Sequence, residues 1–186
     1  DAFVQRTGIV LMPFGRVNIL HDSDVRDATE RPLYARYIVP STWMDTGLGF
    51  HGVADINELE LDYQLYVVNG LTDSISDSDG IRSARPNFKT DNNGDKAIIG
   101  HLGVSPYLGL DLGASFYSGK YSDAGTEGLV LVGVDGFYKK GRFEFVGEYA
   151  QATIDTSSTD IPDEMKGGYI EARVHILQDF LAKKLT

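Results

Sequence analysis

The chain has 186 residues, with 17 basic against 27 acidic side chains and a formal net charge of -10; such acidity argues against binding nucleic acid by phosphate neutralisation. It contains no cysteine, which excludes disulfide frameworks, thiol nucleophiles and thiolate zinc sites. No run of about 18 apolar residues occurs, which excludes a membrane-spanning helix but not a membrane β-barrel, whose strands need only about 9–11 residues. Glycine is frequent at 21, and Tyr and Phe number 10 and 9, a composition that suits an all-β protein.

The chain opens at Asp1 without an initiator Met, which reads as a processed product or an internal stretch. Residues 2–12 are apolar and β-prone, broken by Gly8. A long loop is predicted over 13–45, from Pro13, Gly15, Pro32, Pro40 and a charged stretch between His21 and Arg31, with room for a helical turn. Strand signals resume at 46–55 and, after Ile56-Asn57, at 58–69. There Leu59, Leu61, Tyr63, Leu65 and Val67 alternate with Glu58, Glu60, Asp62 and Gln64, a period of two that gives each set its own face.

A second long loop, rich in Asp, Ser, Asn and Gly, is predicted over 70–94. Strands follow at about 95–104 and 108–118, joined by Ser105-Pro106-Tyr107. A middling loop near 118–126 precedes strands at about 127–138 and 142–153, with Lys139-Lys140-Gly141 as their turn. Residues 155–166 form another loop, and the last strand is placed at about 167–178. No heptad, internal repeat or linker divides the chain, so 1–186 reads as one domain.

About eight strands emerge, and their connections alternate long and short throughout. A soluble sandwich has no reason to gather every long loop at one end. A transmembrane barrel has one, because its periplasmic turns are short and its extracellular loops long. An antiparallel sandwich with one dry face gives the same residue alternation and stays open as the other reading.

For a barrel, the lipid face would carry Leu59, Leu61, Leu65, Val130, Val132, Val134, Phe143, Phe145, Ile170, Val174 and Ile176, with Tyr63, Tyr138, Tyr149 and Tyr169 as interfacial aromatics. The opposite parity carries the candidate pore-lining residues Glu60, Asp62, His101, Asp111, Asp135, Glu144, Glu148, Glu171, Arg173 and His175. So many charges are expected to face water, since buried unpaired carboxylates are costly. A wall this acidic should favour cations. Arg31, Arg36, Arg82, Arg85 and Lys89 lie in loops; they could make a local anion site at a constriction, or pair with neighbouring aspartates and hold the loop's shape.

Several stretches, in order, resemble the phosphate-selective porin O/P-like family of Gram-negative outer membranes. They are Pro13-Phe14-Gly15-Arg16 with His21-Asp22, Arg31-Pro32-Leu33, Ile38-Val39-Pro40-Ser41-Thr42-Trp43, and Gly47-Leu48-Gly49-Phe50. Tyr63 to Gly70, Asp79-Gly80-Ile81-Arg82 with Ala84-Arg85, Asp91 to Ala97, and Gly147-Glu148-Tyr149-Ala150 continue the series. The resemblance implies a 16-stranded, usually trimeric barrel, set in lipid and lipopolysaccharide, with loops folded inward to narrow a passive channel. On that basis this chain is about half a barrel, which fits an end at Lys183-Lys184-Leu185-Thr186 rather than on a terminal aromatic. A closed eight-stranded barrel with a packed interior is the alternative. The family's anion preference does not carry over, because the candidate wall here is acidic.

Other motifs are weak. Asp73 and Asp77-Ser78-Asp79-Gly80 hint at a calcium loop, but Ile75 breaks the ligand alternation and no distal Glu follows. His21, Asp22 and Asp24 are poor evidence for a metal. His101 or His175 with a serine such as Ser115 could suggest a hydrolase dyad, yet no G-x-S-x-G occurs, and Gly47-Leu48-Gly49-Phe50-His51-Gly52 falls short of a dinucleotide fingerprint. Trp43 is expected to anchor at the membrane interface rather than at a subunit contact. The reading is an outer-membrane porin of about eight present strands, with no catalytic residue, cofactor or metal. The remaining alternatives are a non-conducting structural or adhesive barrel, an outer-membrane hydrolase and a soluble sandwich.

Overall fold

The computed structural model describes residues 1–20, 30–57, 59–86 and 91–176. Eight strands run antiparallel and up-and-down in one sheet, each paired with its sequence neighbours. They are β1 (Val4–Leu11), β2 (Met44–Ile56), β3 (Leu59–Val68), β4 (Ala97–Tyr107), β5 (Leu110–Lys120), β6 (Gly128–Lys140), β7 (Phe143–Ile154) and β8 (Glu164–Val174). β1 and β8 do not pair with each other, so among the described residues the sheet is open at both edges. The alternation of connections holds: 12–43, 69–96, 121–127 and 155–163 lie at one end, and short turns join β2 to β3, β4 to β5 and β6 to β7 at the other.

Two turns differ from the sequence expectation. β4 runs through Pro106 to Tyr107, and the reversal comes at Leu108-Gly109, because the register slips between Val104 and Tyr107. The extra residues of that bulge put Tyr107 on the same face as Leu110 and Tyr138. Lys139 and Lys140 pair within β6, leaving Gly141 and Arg142 as the turn; Gly141 takes the positive φ of 58° that the reversal needs. β8 starts at Glu164, three residues earlier than the alternation suggested.

The two faces of the sheet have opposite chemistry. One is open. Leu48, Leu65, Leu102, Phe116, Val132 and Ile170 all stand exposed there, and Val134 is 58% exposed. The other face is covered by the chain's own connections. Between β1 and β2 lie α1 (Gly15–Ile19) and α2 (Tyr34–Tyr37), and between β3 and β4 a 3₁₀ turn, Ile81–Ala84. Phe14, Ile38, Val39, Leu71 and Ile81 from these connections join Tyr66, Ile99, Leu129, Leu131 and Ala152 from the strands in one buried apolar cluster. Large side chains of this kind contribute about 1.5–3 kcal/mol each when fully buried.

Trp43 belongs to that cluster. It is fully buried, with its ring 5.2 Å from that of Tyr117. The expectation of an interfacial anchor is therefore wrong: the chain re-enters the sheet beneath its own loop, and the indole packs inward. Tyr169 is a second correction. It pairs with Glu148 in register, which places it on the covered face; Tyr63, Tyr138 and Tyr149 do lie on the open one, paired with Leu102, Phe145 and Val134.

Asn18 fastens the 12–43 connection at its base. Its amide donates to the carbonyls of Met12 (2.8 Å) and Trp43 (3.1 Å), and its Oδ1 accepts from the Trp43 backbone N–H (2.8 Å). The side chain is fully buried, so removing it strands several backbone groups at about 1–3 kcal/mol each. Asn18→Ala is expected to lower stability by about 2–4 kcal/mol. Urea unfolding followed through Trp43, the single tryptophan, measures it; an unchanged midpoint would show that the fastening is not structural.

Candidate functional site

The covered face divides along the strand axis. Toward the long connections it is dry. Toward the short turns it is polar, and there the sequence-predicted pore residues collect. The expectation that this whole parity meets water is corrected by burial: Asp135, Glu144 and Glu148 are all buried. Glu148 and Glu144 escape the usual cost in different ways, whereas Asp135 Oδ2 has no hydrogen-bond partner among the described residues.

Glu148 lies where the two halves meet, under α1. Its Oε1 accepts from the Val17 backbone N–H (2.8 Å) and the Tyr169 hydroxyl (3.0 Å), and its Oε2 accepts from the Tyr34 hydroxyl (3.3 Å). A backbone N–H aimed from a helical turn suits a carboxylate. Gly15 makes the approach: its φ is +61°, and a Cβ there would overlap the Glu148 carboxylate. Gly15 N–H also donates to Ser115 Oγ (3.1 Å). Glu148 is thus a structural fastener that ties α1 and α2 to the sheet, not a solvated residue.

Glu144 sits at the short-turn end and is neutralised. It accepts from Arg173 Nη1 (2.6 Å) and His175 Nε2 (3.2 Å), and Lys139 Nζ is 3.4 Å away. Glu171 accepts from Arg173 Nε (2.7 Å). The β7–β8 side of the wall is therefore a mixed ion-pair network, less acidic than the count of carboxylates suggests.

The uncompensated charge lies across β3 to β6. A recess of about 380 Å³ there is lined by Glu60, Asp62, Asp111, Asp135, His101 and Arg16, among others. Arg16, from α1, stacks over the Phe137 ring at 5.0 Å and lies 3.8 Å from Asp111, whose Oδ1 accepts from Ser105 Oγ at 2.7 Å. Sequence reading placed Arg16 in a loop and missed its place at this wall; only the inward fold of 12–43 brings it there.

His101 and Ser115 meet at 2.9 Å through Nδ1 and Oγ, and His101 Nε2 stands 3.9 Å from Asp62. The array has the residue types of a hydrolytic triad. Its serine, however, is buried and already accepts from Gly15 N–H, and it does not line the recess. The geometry holds α1 against the wall and offers no approach for a substrate carbonyl.

The candidate constriction arginines separate. Arg85 donates to the carbonyls of Arg82 (3.1 Å) and Ser41 (2.9 Å) and to Thr42 Oγ1 (3.0 Å), and Arg31 donates to Ser41 Oγ. Burial and the nearby Arg82 and Arg31 guanidinium groups push the Arg85 pKa down from its ordinary value. Arg36 stacks on Tyr37 at 5.4 Å. Arg82 and Arg85 line a second recess of about 570 Å³. Arg85 thus braces loop to loop through backbone carbonyls and a hydroxyl, rather than through the aspartates the sequence suggested. Lys89, His21, Asp22 and Asp24 lie outside the described residues. The calcium motif closes instead as a tight turn, with Ser76 and Gly80 bridged and the Ser76 and Ser78 hydroxyls 3.3 Å apart. Among the described residues no group of three or more His, Asp or Glu is arranged to hold a metal.

No family model matches this chain, and no solved structure matches it. An uncharacterized protein of Aquifex aeolicus (strain VF5) is similar, 28% identical over 203 aligned residues that cover 96% of this chain and 45% of that protein. The chain spans about half the length of that relative.

Glu148→Ala is expected to lower stability by about 3 kcal/mol, since hydrogen bonds to a charged group are worth about 1.5–3 kcal/mol each. It should also open the 13–43 segment to protease. Glu164→Ala, on an exposed carboxylate, should stay within about 0.5 kcal/mol. Unfolding midpoints and limited proteolysis of the two variants side by side check both; equal effects would remove the fastening role.

Proposed function

We propose that this sheet is part of a larger transmembrane β-barrel of a bacterial outer membrane, and that the assembled barrel is a passive channel for small hydrophilic solutes with a leaning toward cations. The observation that carries the reading is the open face, an aliphatic and aromatic surface over which the described residues place no second layer. Val130 to Tyr138 take five positions on it, about 26 Å of strand. At a 40° tilt that is about 20 Å of height, against an outer apolar band about 25 Å tall in known barrels. Tyr107, Tyr138 and Phe143 cluster near its short-turn border.

The two free edges support a larger assembly. Unpaired strand groups cost several kcal/mol each in hydrocarbon, so a sheet in a bilayer must close. Further strands, from the rest of a longer chain or from partner chains, would supply that closure, and a relative about twice as long is consistent with the former. The order of resembling stretches adds the porin O/P-like family as the reading of that barrel. In such a setting the open face meets lipid and lipopolysaccharide, and trimeric association follows from the resemblance. The inward 12–43 and 69–96 connections set the pore size, and Glu60, Asp62, Asp111 and Asp135 set its charge preference.

A second reading has one observation in its favour. Met12, Phe14, Tyr34, Ile38, Val39 and Trp43 of the β1–β2 connection are packed dry against the sheet, as in a plugged, non-conducting barrel. Planar-bilayer recordings of the complete protein separate the two. The channel reading expects steady conductance steps and a reversal potential showing cation preference. The double variant Glu60→Lys/Asp62→Lys should reduce that preference severalfold or invert it. Absence of steps from folded protein would favour the plugged barrel, and anion preference in the parent protein would overturn the selectivity.

A further inference from the structure

Strand register assembles a feature that no local motif contains. Asp62 on β3 pairs with Gly103 on β4, Gly103 with Gly113 on β5, Gly113 with Asp135 on β6, and Asp135 with Glu148 on β7. Two glycines therefore stand side by side in the middle of this row, with a carboxylate on each flank. Their missing side chains form a trough, and the carboxylates lean into it. A Cβ on Gly103 would overlap the Asp62 carboxylate, and a Cβ on Gly113 would collide with Asp135 Oδ2 and with His101 Cε1. Residues directly opposite on paired strands are about 4.5–5.5 Å apart, so two anionic groups are held over neighbouring positions.

Like charges at that separation repel unless a cation lies between them. Arg16 and His101 stand near enough to ease that repulsion, but neither bonds Asp135 Oδ2. Arg16 is stacked on Phe137 and nearest to Asp111. His101 Nδ1 is bonded to Ser115, and its Nε2 stays 3.9 Å from Asp62, beyond hydrogen-bond distance. Asp135 is only 9% exposed, yet its Oδ2 has no hydrogen-bond partner among the described residues, and it lines the 380 Å³ recess. A buried carboxylate oxygen is best satisfied by a hydrogen-bond donor or a cation.

We infer that the Gly103–Gly113 trough is a binding site for an organic cation, whose ammonium or guanidinium head is shared between Asp62 and Asp135. The recess volume lies in the range that takes small organic ligands and exceeds what a bare ion needs. Ile19 and Leu20 on its loop side offer apolar contact to a short hydrocarbon tail. The inference deepens the proposed function by naming a solute class. It rests on that reading only for a role in passage; binding at the trough requires no conduction.

The test is calorimetric titration of the complete protein in detergent with butylammonium and butylguanidinium, with 1-butanol, butyrate, Na⁺ and Ca²⁺ as controls. Saturable binding of the two organic cations is expected, with none for the neutral and anionic analogues. Asp135→Asn keeps the shape and removes the unpaired charge, so it should weaken binding at least tenfold while its melting temperature without ligand stays equal or rises. Gly113→Ala, which fills the trough, should abolish binding; a melting curve confirms that it folds. Unchanged affinity in Asp135→Asn, or saturation by Na⁺ or Ca²⁺ with no response to the organic cations, would overturn the assignment. Binding that depends on Asp135 in a protein that does not conduct would uphold this site and remove the channel reading alone.

Discussion

Backbone pairing leaves this sheet with two faces, and among the described residues only one has a protein layer over it. The other presents Leu65, Leu102, Phe116, Val132, Phe145 and Ile170 to whatever lies outside. Removing apolar area from water is worth about 25 cal/mol per Å², and soluble monomers rarely leave contiguous patches beyond a few hundred Å². Under the proposed reading the neighbour of the uncovered face is hydrocarbon, and the rest of the architecture follows from it. Polar side chains must turn to the opposite face, strand edges must be closed, and loops with charged residues must gather at the ends.

The covered face answers that demand in two halves. Near the long connections the chain folds back and packs dry, with Trp43, Tyr117 and Leu131 at its centre. That packing holds because its polar seams are satisfied. Asn18 ties both ends of one connection together, Asp45 accepts from Gly70 N–H (2.7 Å) at the start of the next, and the Tyr117 hydroxyl accepts from Leu71 N–H (2.9 Å). Near the short turns the same parity becomes charged, and Glu148 stands at the seam, where one carboxylate collects α1, α2 and β8. The polar half keeps one side ion-paired around Glu144 and the other with spare negative charge around the glycine trough.

Much of this was legible from alternation. Period two on β3, β6 and β7 assigned Leu61, Val132 and Phe145 to one face and Asp62, Asp135 and Glu148 to the other, and the register agrees. The alternation of loop lengths was also readable, because Gly, Pro and Asp clusters mark the breaks. What period two does not contain is what covers a face. Hence Glu148 read as wet and is buried, and Trp43 read as an interfacial anchor and is core. Tyr169 shares its face with Glu148 by register, so parity rather than residue type decides where its ring lies. The β4–β5 turn was shifted by a bulge, which a single strand's pattern cannot reveal. The trough was hidden for a related reason: Gly103 and Gly113 are ordinary glycines until pairing sets them side by side.

The absence of cysteine from the chain makes the central claim directly testable. Single cysteines placed in turn at 129 to 135 of β6, carrying a fluorophore in the complete protein reconstituted into bilayers, can be quenched by brominated lipid chains. Positions 130, 132 and 134 should be quenched strongly and 129, 131, 133 and 135 weakly, a two-residue oscillation. Uniform weak quenching at all seven positions would mean that protein or water covers the open face, and the membrane account would fail.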